Sequence, residues 1–171
     1  CREDVIFMDV SSMSKFLVQG RDAEKVLNQI CANDVAVPVG KIVYTQWLNE
    51  RGGMEADLTV TRLAEDKYFI VSASDFYTHD LWWLKKHIPH DAHAFVTDVT
   101  SGYTLMNIQG PKSRDLIKQL TSTDISNTAF PYMSAQNIDI NYALIQTLRV
   151  TFEGELGYEL YVPTEFSAYV Y

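Results

Sequence analysis

Between residues 41 and 72 apolar and polar side chains alternate in three runs with sharp breaks between them. KIVYTQWLN leads into ERGGM, where Gly52 and Gly53 suit the positive φ angles of a tight reversal. EADLTVTRL follows, then the charged turn AED, then KYFIVSAS. Period-two runs separated by turn residues predict three consecutive antiparallel strands, a β-meander. In the middle strand Leu58 and Val60 fall on one face, and Asp57, Thr59 and Thr61 on the other.

Elsewhere the period lengthens. After Gly20, Asp22 is placed to cap a helix over AEKVLNQI, whose Ala23, Val26, Leu27 and Ile30 recur at helical spacing. Asn33-Asp34 and the Pro38/Gly40 pair break it. Ser74 or Asp75 is the expected cap of a second helix, DFYTHDLWWLKKH, ended by Pro89. A third, KSRDLIKQL, carries Pro111 at its start. DVSSMSKFLVQ (9–19), AFVTDV, YTLMNIQ and two or three runs in 133–162, turning at IDINYA, read as strands. Helices and strands mix without strict βαβ order, so the expected class is α+β, with antiparallel sheets, a β-meander and flanking helices.

The 171 residues suit one compact domain or two small interleaved ones. We take 1–171 as one domain, with 40–95 as a meander-plus-helix subdomain inserted in it. The start at Cys1 and the close at YVPTEFSAYVY, where a helix begins, lead us to expect a piece of a longer protein.

Composition narrows the function. Hydrophobic residues make up 47% and charged residues 21%, enough for a packed core. A net charge of −8 argues against nucleic acid, whose phosphates need a basic footprint. No run of about 18 apolar residues is present to span a membrane. Cys1 and Cys31 lack any Cys-x-x-Cys spacing and read as two reduced thiols of an intracellular protein. His79, His87, His90 and His93 crowd one region, but Pro89 separates the last two from the helix, so they read as surface histidines rather than metal ligands. There is no Gly-x-Ser-x-Gly, no GxGxxG and no P-loop.

Carboxylates in strands remain as candidate chemistry. Aspartate is poor in strands, and Asp57 stands in one; solvent exposure is the simple reading. TFEGELGYELYV (151–162) sets Glu153, Glu155 and Glu159 among apolar residues. Glu153 and Glu155 bracket Gly154 and read as turn residues. Glu159 lies in a run apolar on both faces, where a lone charge should meet a partner or a cavity.

YTQWLNERGGMEADLTVTRL, MNIQGPKSRDLI and VTFEGELGYELYVP together resemble the folate-binding aminomethyltransferase family, which includes the T-protein of the glycine cleavage system. Within it the chain is most similar to the C-terminal half of the mitochondrial sarcosine and dimethylglycine dehydrogenases, on IQGP-x-SR, DIS-N-x-AFP and GELGYEL. The pyruvate dehydrogenase phosphatase regulatory subunit follows closely, on DVSSMSKF and WLKKHIP. The resemblance implies a tetrahydrofolate site in which Glu159 accepts the pterin N3–H and 2-amino group, and Asp57 sits at the folate nitrogens that receive the one-carbon unit. It places Met13, Tyr44, Phe69 and Val71 around the folate cavity, and Phe152 where many members carry a tyrosine. It further implies FAD in a flavin domain outside this chain, which would be an intramolecular partner, and a mitochondrial matrix location. The implied function is the folate-binding portion of a sarcosine-type N-methylglycine oxidoreductase. The alternative is a non-catalytic regulatory subunit with the same fold.

Overall fold

Asp9 breaks the alternation in residues 9–19. Its Oδ1 accepts the backbone N–H of Ser11 at 2.9 Å and the Ser11 hydroxyl at 2.6 Å, closing a local turn. In place of one strand over 9–19 there are two, β1 (Ile6–Asp9) and β2 (Ser14–Gln19), and they join different sheets.

The computed structural model describes residues 1–171 and divides into two compact units, one of residues 12–100 and the other of 1–11 with 101–171. The 40–95 segment lies inside the first of these. That unit contains β2, α1 (Ala23–Ile30), the meander β3 (Ile42–Leu48), β4 (Met54–Ala64) and β5 (Lys67–Ser72), then α2 (Tyr77–His87) and β6 (Phe95–Asp98). Its antiparallel sheet runs β3-β4-β5-β2-β6. One sheet face, with Phe16, Val18, Trp47, Leu58, Val60 and Ile70, packs in a single core with Leu27 and Ile30 of α1 and Trp83 and Leu84 of α2.

Local details differ from expectation. Only Gly52 of the turn pair has a positive φ, 77°; Gly53 instead keeps clear of the Asn49 side chain, whose Oδ1 accepts the N–H groups of Arg51 and Gly53. Asp22 takes the N-cap position of α1, its carbonyl accepting the Val26 N–H, but its side chain makes no cap bond, because the carboxylate accepts the His93 N–H at 2.7 Å. Neither Ser74 nor Asp75 caps α2 through its side chain; a 3₁₀ turn over Ser74–Phe76 leads into it.

The other unit contains β1, β7 (Tyr103–Gln109), α3 (Ser113–Ile117), β8 (Ser134–Ile140), β9 (Ala143–Arg149), β10 (Gly157–Pro163) and α4 (Ser167–Val170). Its antiparallel sheet runs β1-β7-β10-β9-β8. The core lies on one face, where Met106, Ile108, Ile145, Tyr158, Leu160 and Val162 meet Ile117, Ile125 and Phe130. α3 is shorter than KSRDLIKQL because its last turn tightens: Gln119 and Leu120 donate to the carbonyls of Leu116 and Ile117, three residues back.

Several motif residues brace this unit. Gly110 N–H and Ser113 Oγ both donate to the Leu156 carbonyl, at 2.8 and 3.1 Å, tying QGPKS to the loop before β10. Arg114 donates to the Ile125 carbonyl and the Tyr158 hydroxyl, and Arg114 and Arg149 both reach Asn127 Oδ1. Glu155 is a turn residue, paired with Arg2 at 2.6 Å.

Candidate functional site

In the 12–100 unit the sheet face turned from α1 and α2 carries most of the sequence-derived candidates. Strand register aligns Tyr44 with Thr59, Val71 and Lys15, and sets Gln46 opposite Asp57. Phe69 lies in the adjacent row, between Thr61 and Leu17. Phe69 and Val71 are buried, Tyr44 is 53% exposed, and Asp57 is exposed. Asp57 Oδ1 accepts Gln46 Nε2 at 2.9 Å. Its hydrogen bond and charge hold the Tyr44 phenol above its usual range, so Tyr44 remains a proton donor beside the carboxylate. Met13 is half-buried just before β2, and its carbonyl accepts Lys15 Nζ at 2.9 Å. Asp57, Tyr44, Phe69 and Val71 thus share a face that is apolar at one end and acidic at the other.

In the other unit Glu159 stands in β10 between Asn107 of β7 and Leu148 of β9, on the face away from the core. The side chain is half-buried. The fully buried Tyr161 donates its hydroxyl to Glu159 Oε2 at 2.6 Å. Burial, reinforced by the Glu159 charge, drives the Tyr161 phenol well above its ordinary value, so it is fixed as donor. A carboxylate oriented this way can accept a pair of parallel donors from a planar ligand. Phe152 is 84% exposed in the loop before β10 and does not pack with Glu159.

Tyr161, Asn107, Gln109, Gln46 and Lys15 were not among the candidates. Strand parity signals three of them: Glu159 and Tyr161 are two apart in β10, and Asn107 and Gln109 are the polar pair in YTLMNIQ. Lys15 is buried despite its place in an alternating strand. No signal in a single strand distinguishes it from a surface lysine.

Other groups fall away from these faces. Cys1 and Cys31 are unpaired, and burial pushes the Cys31 thiol up to about 11, which removes it as a nucleophile. The histidines gather no metal-holding set of side chains. A cleft of about 630 Å³ opens among α1, the β3–β4 turn and α2. It is lined by Glu50 and Glu55 as well as Arg51 and Lys86, and lies on the helix side, away from Asp57.

His79 departs from the expectation of a free surface histidine. Its Nδ1 meets the buried Asp80 at 3.0 Å and its Nε2 meets Glu55 of β4 at 3.0 Å. The Asp80 hydrogen bond, with Glu55 adding to it, outweighs burial and raises the His79 pKa. The folded state therefore holds the proton more tightly than the unfolded chain, and this stabilisation is complete below about pH 6.5 and fades as pH rises through the folded value. The Tm difference between wild type and His79→Gln is accordingly expected to be largest at pH 6 and to shrink toward pH 9. A difference that grows with pH would reverse the sign of this linkage.

The model of the GCVT N-terminal domain matches residues 1–171. The chain belongs to the GCVT N-terminal domain family. The mitochondrial pyruvate dehydrogenase phosphatase regulatory subunit of Mus musculus is 36% identical over 174 residues, covering 100% of this chain and 20% of that protein. Mitochondrial sarcosine dehydrogenase of Mus musculus is 34% identical over 178 residues, covering 95% of this chain and 19% of that protein. The chain thus spans about a fifth of the length of these curated relatives. The glycine cleavage system aminomethyltransferase T of Bartonella henselae superposes with a TM-score of 0.85 at 23% identity, covering 99% of this chain and 45% of that one. As a GCVT N-terminal domain, the chain has the two antiparallel sheets and flanking helices of that aminomethyltransferase fold. No helix is long and apolar enough to cross a membrane.

Proposed function

We propose that this GCVT N-terminal domain is the tetrahydrofolate-binding portion of a mitochondrial-matrix flavoenzyme that oxidises a sarcosine-type N-methylglycine and passes the one-carbon unit to folate. The observation that carries the reading is Glu159, a half-buried strand carboxylate held by the Tyr161 hydroxyl at 2.6 Å on a face away from the core. Its pair of acceptor oxygens suits a pterin, which offers N3–H and the 2-amino group side by side as donors. Met13, Tyr44, Phe69, Val71 and Phe152 are assigned to the lining of the folate cavity. When bound, the folate supplies a nucleophilic nitrogen for the one-carbon unit. Asp57, exposed and oriented by Gln46, takes up the proton released and stabilises positive charge on the transferred carbon. FAD is assigned to a flavin domain outside these residues, the intramolecular partner. Sarcosine dehydrogenase among the relatives, at 34% identity, supports the assignment, and its mitochondrial name supports the location.

A second reading, a non-catalytic regulatory subunit of pyruvate dehydrogenase phosphatase, is favoured by the 36% identity with that protein along the whole chain. Titration of the full-length protein with tetrahydrofolate separates the two. Glu159→Gln, which loses a charge-assisted pairing, is expected to weaken binding by about 1.5–3 kcal/mol, roughly ten- to hundredfold in Kd. A wild type that takes up no folate, or a variant indistinguishable from it, would remove the pterin assignment.

A further inference from the structure

A polar row runs along the Glu159 face beyond Glu159 itself. Asn107, directly opposite Glu159, is 3% exposed, and Gln109, opposite Gly157, is fully buried. Gln109 Nε2 donates to Asn107 Oδ1 at 2.6 Å, with the Val150 carbonyl 3.5 Å from the same nitrogen. Turning both amides over would set Gln109 Oε1 against the Val150 carbonyl, acceptor to acceptor, so electrostatics favours the observed setting. In it Asn107 Oδ1 is committed to Gln109, which leaves Nδ2–H₂ as the donor of the residue opposite Glu159. Gly157 makes the arrangement possible. A Cβ there would overlap the Gln109 amide, so only glycine lets that amide lie across β10.

The geometry points to Asn107 as a specificity-determining residue that donates to the 4-oxo group of the heterocycle held by Glu159, with Gln109 as the positioning residue that sets its amide. The inference rests on the pterin reading above and deepens it. In a 2-amino-4-oxo ring the N3–H lies between the 2-amino donor and the O4 acceptor. A carboxylate flanked by one N–H donor matches that acceptor–donor–donor edge, whereas a carboxylate alone matches only its two donors. A 2,4-diamino ring has no N3–H. It offers the carboxylate paired donors only through protonated N1–H and the 2-amino group, an edge that carries no O4, and so gains nothing from Asn107.

The test is a titration of the full-length protein with tetrahydrofolate and with its 2,4-diamino counterpart. Asn107→Ala is expected to weaken tetrahydrofolate about tenfold while leaving the diamino ligand within about twofold, the signature of one lost ligand hydrogen bond. Asn107→Ser, whose shorter hydroxyl can still accept from Gln109 but no longer carries an amide N–H out to the ligand's O4, gives the same selective loss with less disturbance of the row. Gln109→Met gives a smaller selective loss, since it frees the Asn107 amide to turn. Tm is measured for each variant to confirm folding. Equal loss for both ligands, or none for either, in the folded Asn107 variants overturns the inference. Glu159→Gln separates this from failure of the underlying reading, because both rings offer Glu159 paired donors, N3–H with the 2-amino group in one and protonated N1–H with the 2-amino group in the other. If it weakens both ligands while Asn107→Ser changes neither, only the Asn107 role falls; if the wild type binds neither ligand, the pterin reading falls as well.

Discussion

Asp57→Asn is expected to slow one-carbon transfer in the full-length enzyme by about a hundredfold or more, the range of a lost acid–base group, while leaving tetrahydrofolate binding within about twofold. The substitution is nearly isosteric. The asparagine side chain keeps an oxygen to accept Gln46 Nε2, which lies 2.9 Å from Asp57 Oδ1 in the wild type, so the β3–β4 pairing around it is undisturbed. What disappears is the capacity to accept a proton and to stabilise a cationic one-carbon intermediate. Single-turnover transfer measured beside a folate titration distinguishes the two effects. Undiminished turnover would make Asp57 a structural partner of Gln46 and Tyr44. The Tyr44 phenol offers a second readout, since the Asp57 hydrogen bond is the largest cause of its raised pKa and that value should fall in the variant.

Gly110→Ala is expected to cost about 3 kcal/mol or more, combining backbone strain with a clash that cannot relax through a side chain. Gly110 has φ +119°, a region L residues rarely adopt, and an added Cβ would overlap the Asp4 carbonyl and lie 2.8 Å from the Cys1 carbonyl. Both obstacles are backbone. Moving Gly110 away from them strains its N–H bond to Leu156, which anchors the loop leading into β10 and Glu159. A Tm lowered by roughly 6–12 °C is the expected reading for a chain of this size. Gly102→Ala is the control: its added Cβ meets nothing within 4 Å and should change stability by no more than about 0.5 kcal/mol. Equal effects at the two positions would contradict the packing argument.

The meander was legible because its signal is local: period-two alternation and the turn residues between runs act within a few neighbours. Residues 42–72 form the three strands expected, and the helical spacing of Ala23, Val26, Leu27 and Ile30 marks the face that is buried. Where a side chain found a partner far along the chain, local rules misled. Asp22 stands at the N-cap position yet its carboxylate bonds to His93 rather than to the helix, and His79 reads as a surface residue yet is gripped by Glu55, a strand residue distant in sequence.

The candidate site divides along the same line. From the sequence alone came the parity that puts Asp57 opposite Leu58 and Val60, the anomaly of a charge at Glu159 in an apolar strand, and motifs sufficient for the family resemblance. Tertiary structure alone decided which strands lie beside which. Register, set by hydrogen bonds between segments far apart in the chain, brings Asn107 to Glu159 and Gln109 onto Gly157. An isolated strand carries its own alternation, but its neighbours are chosen by the burial of whole faces, and that choice is what turns lone polar residues into a row.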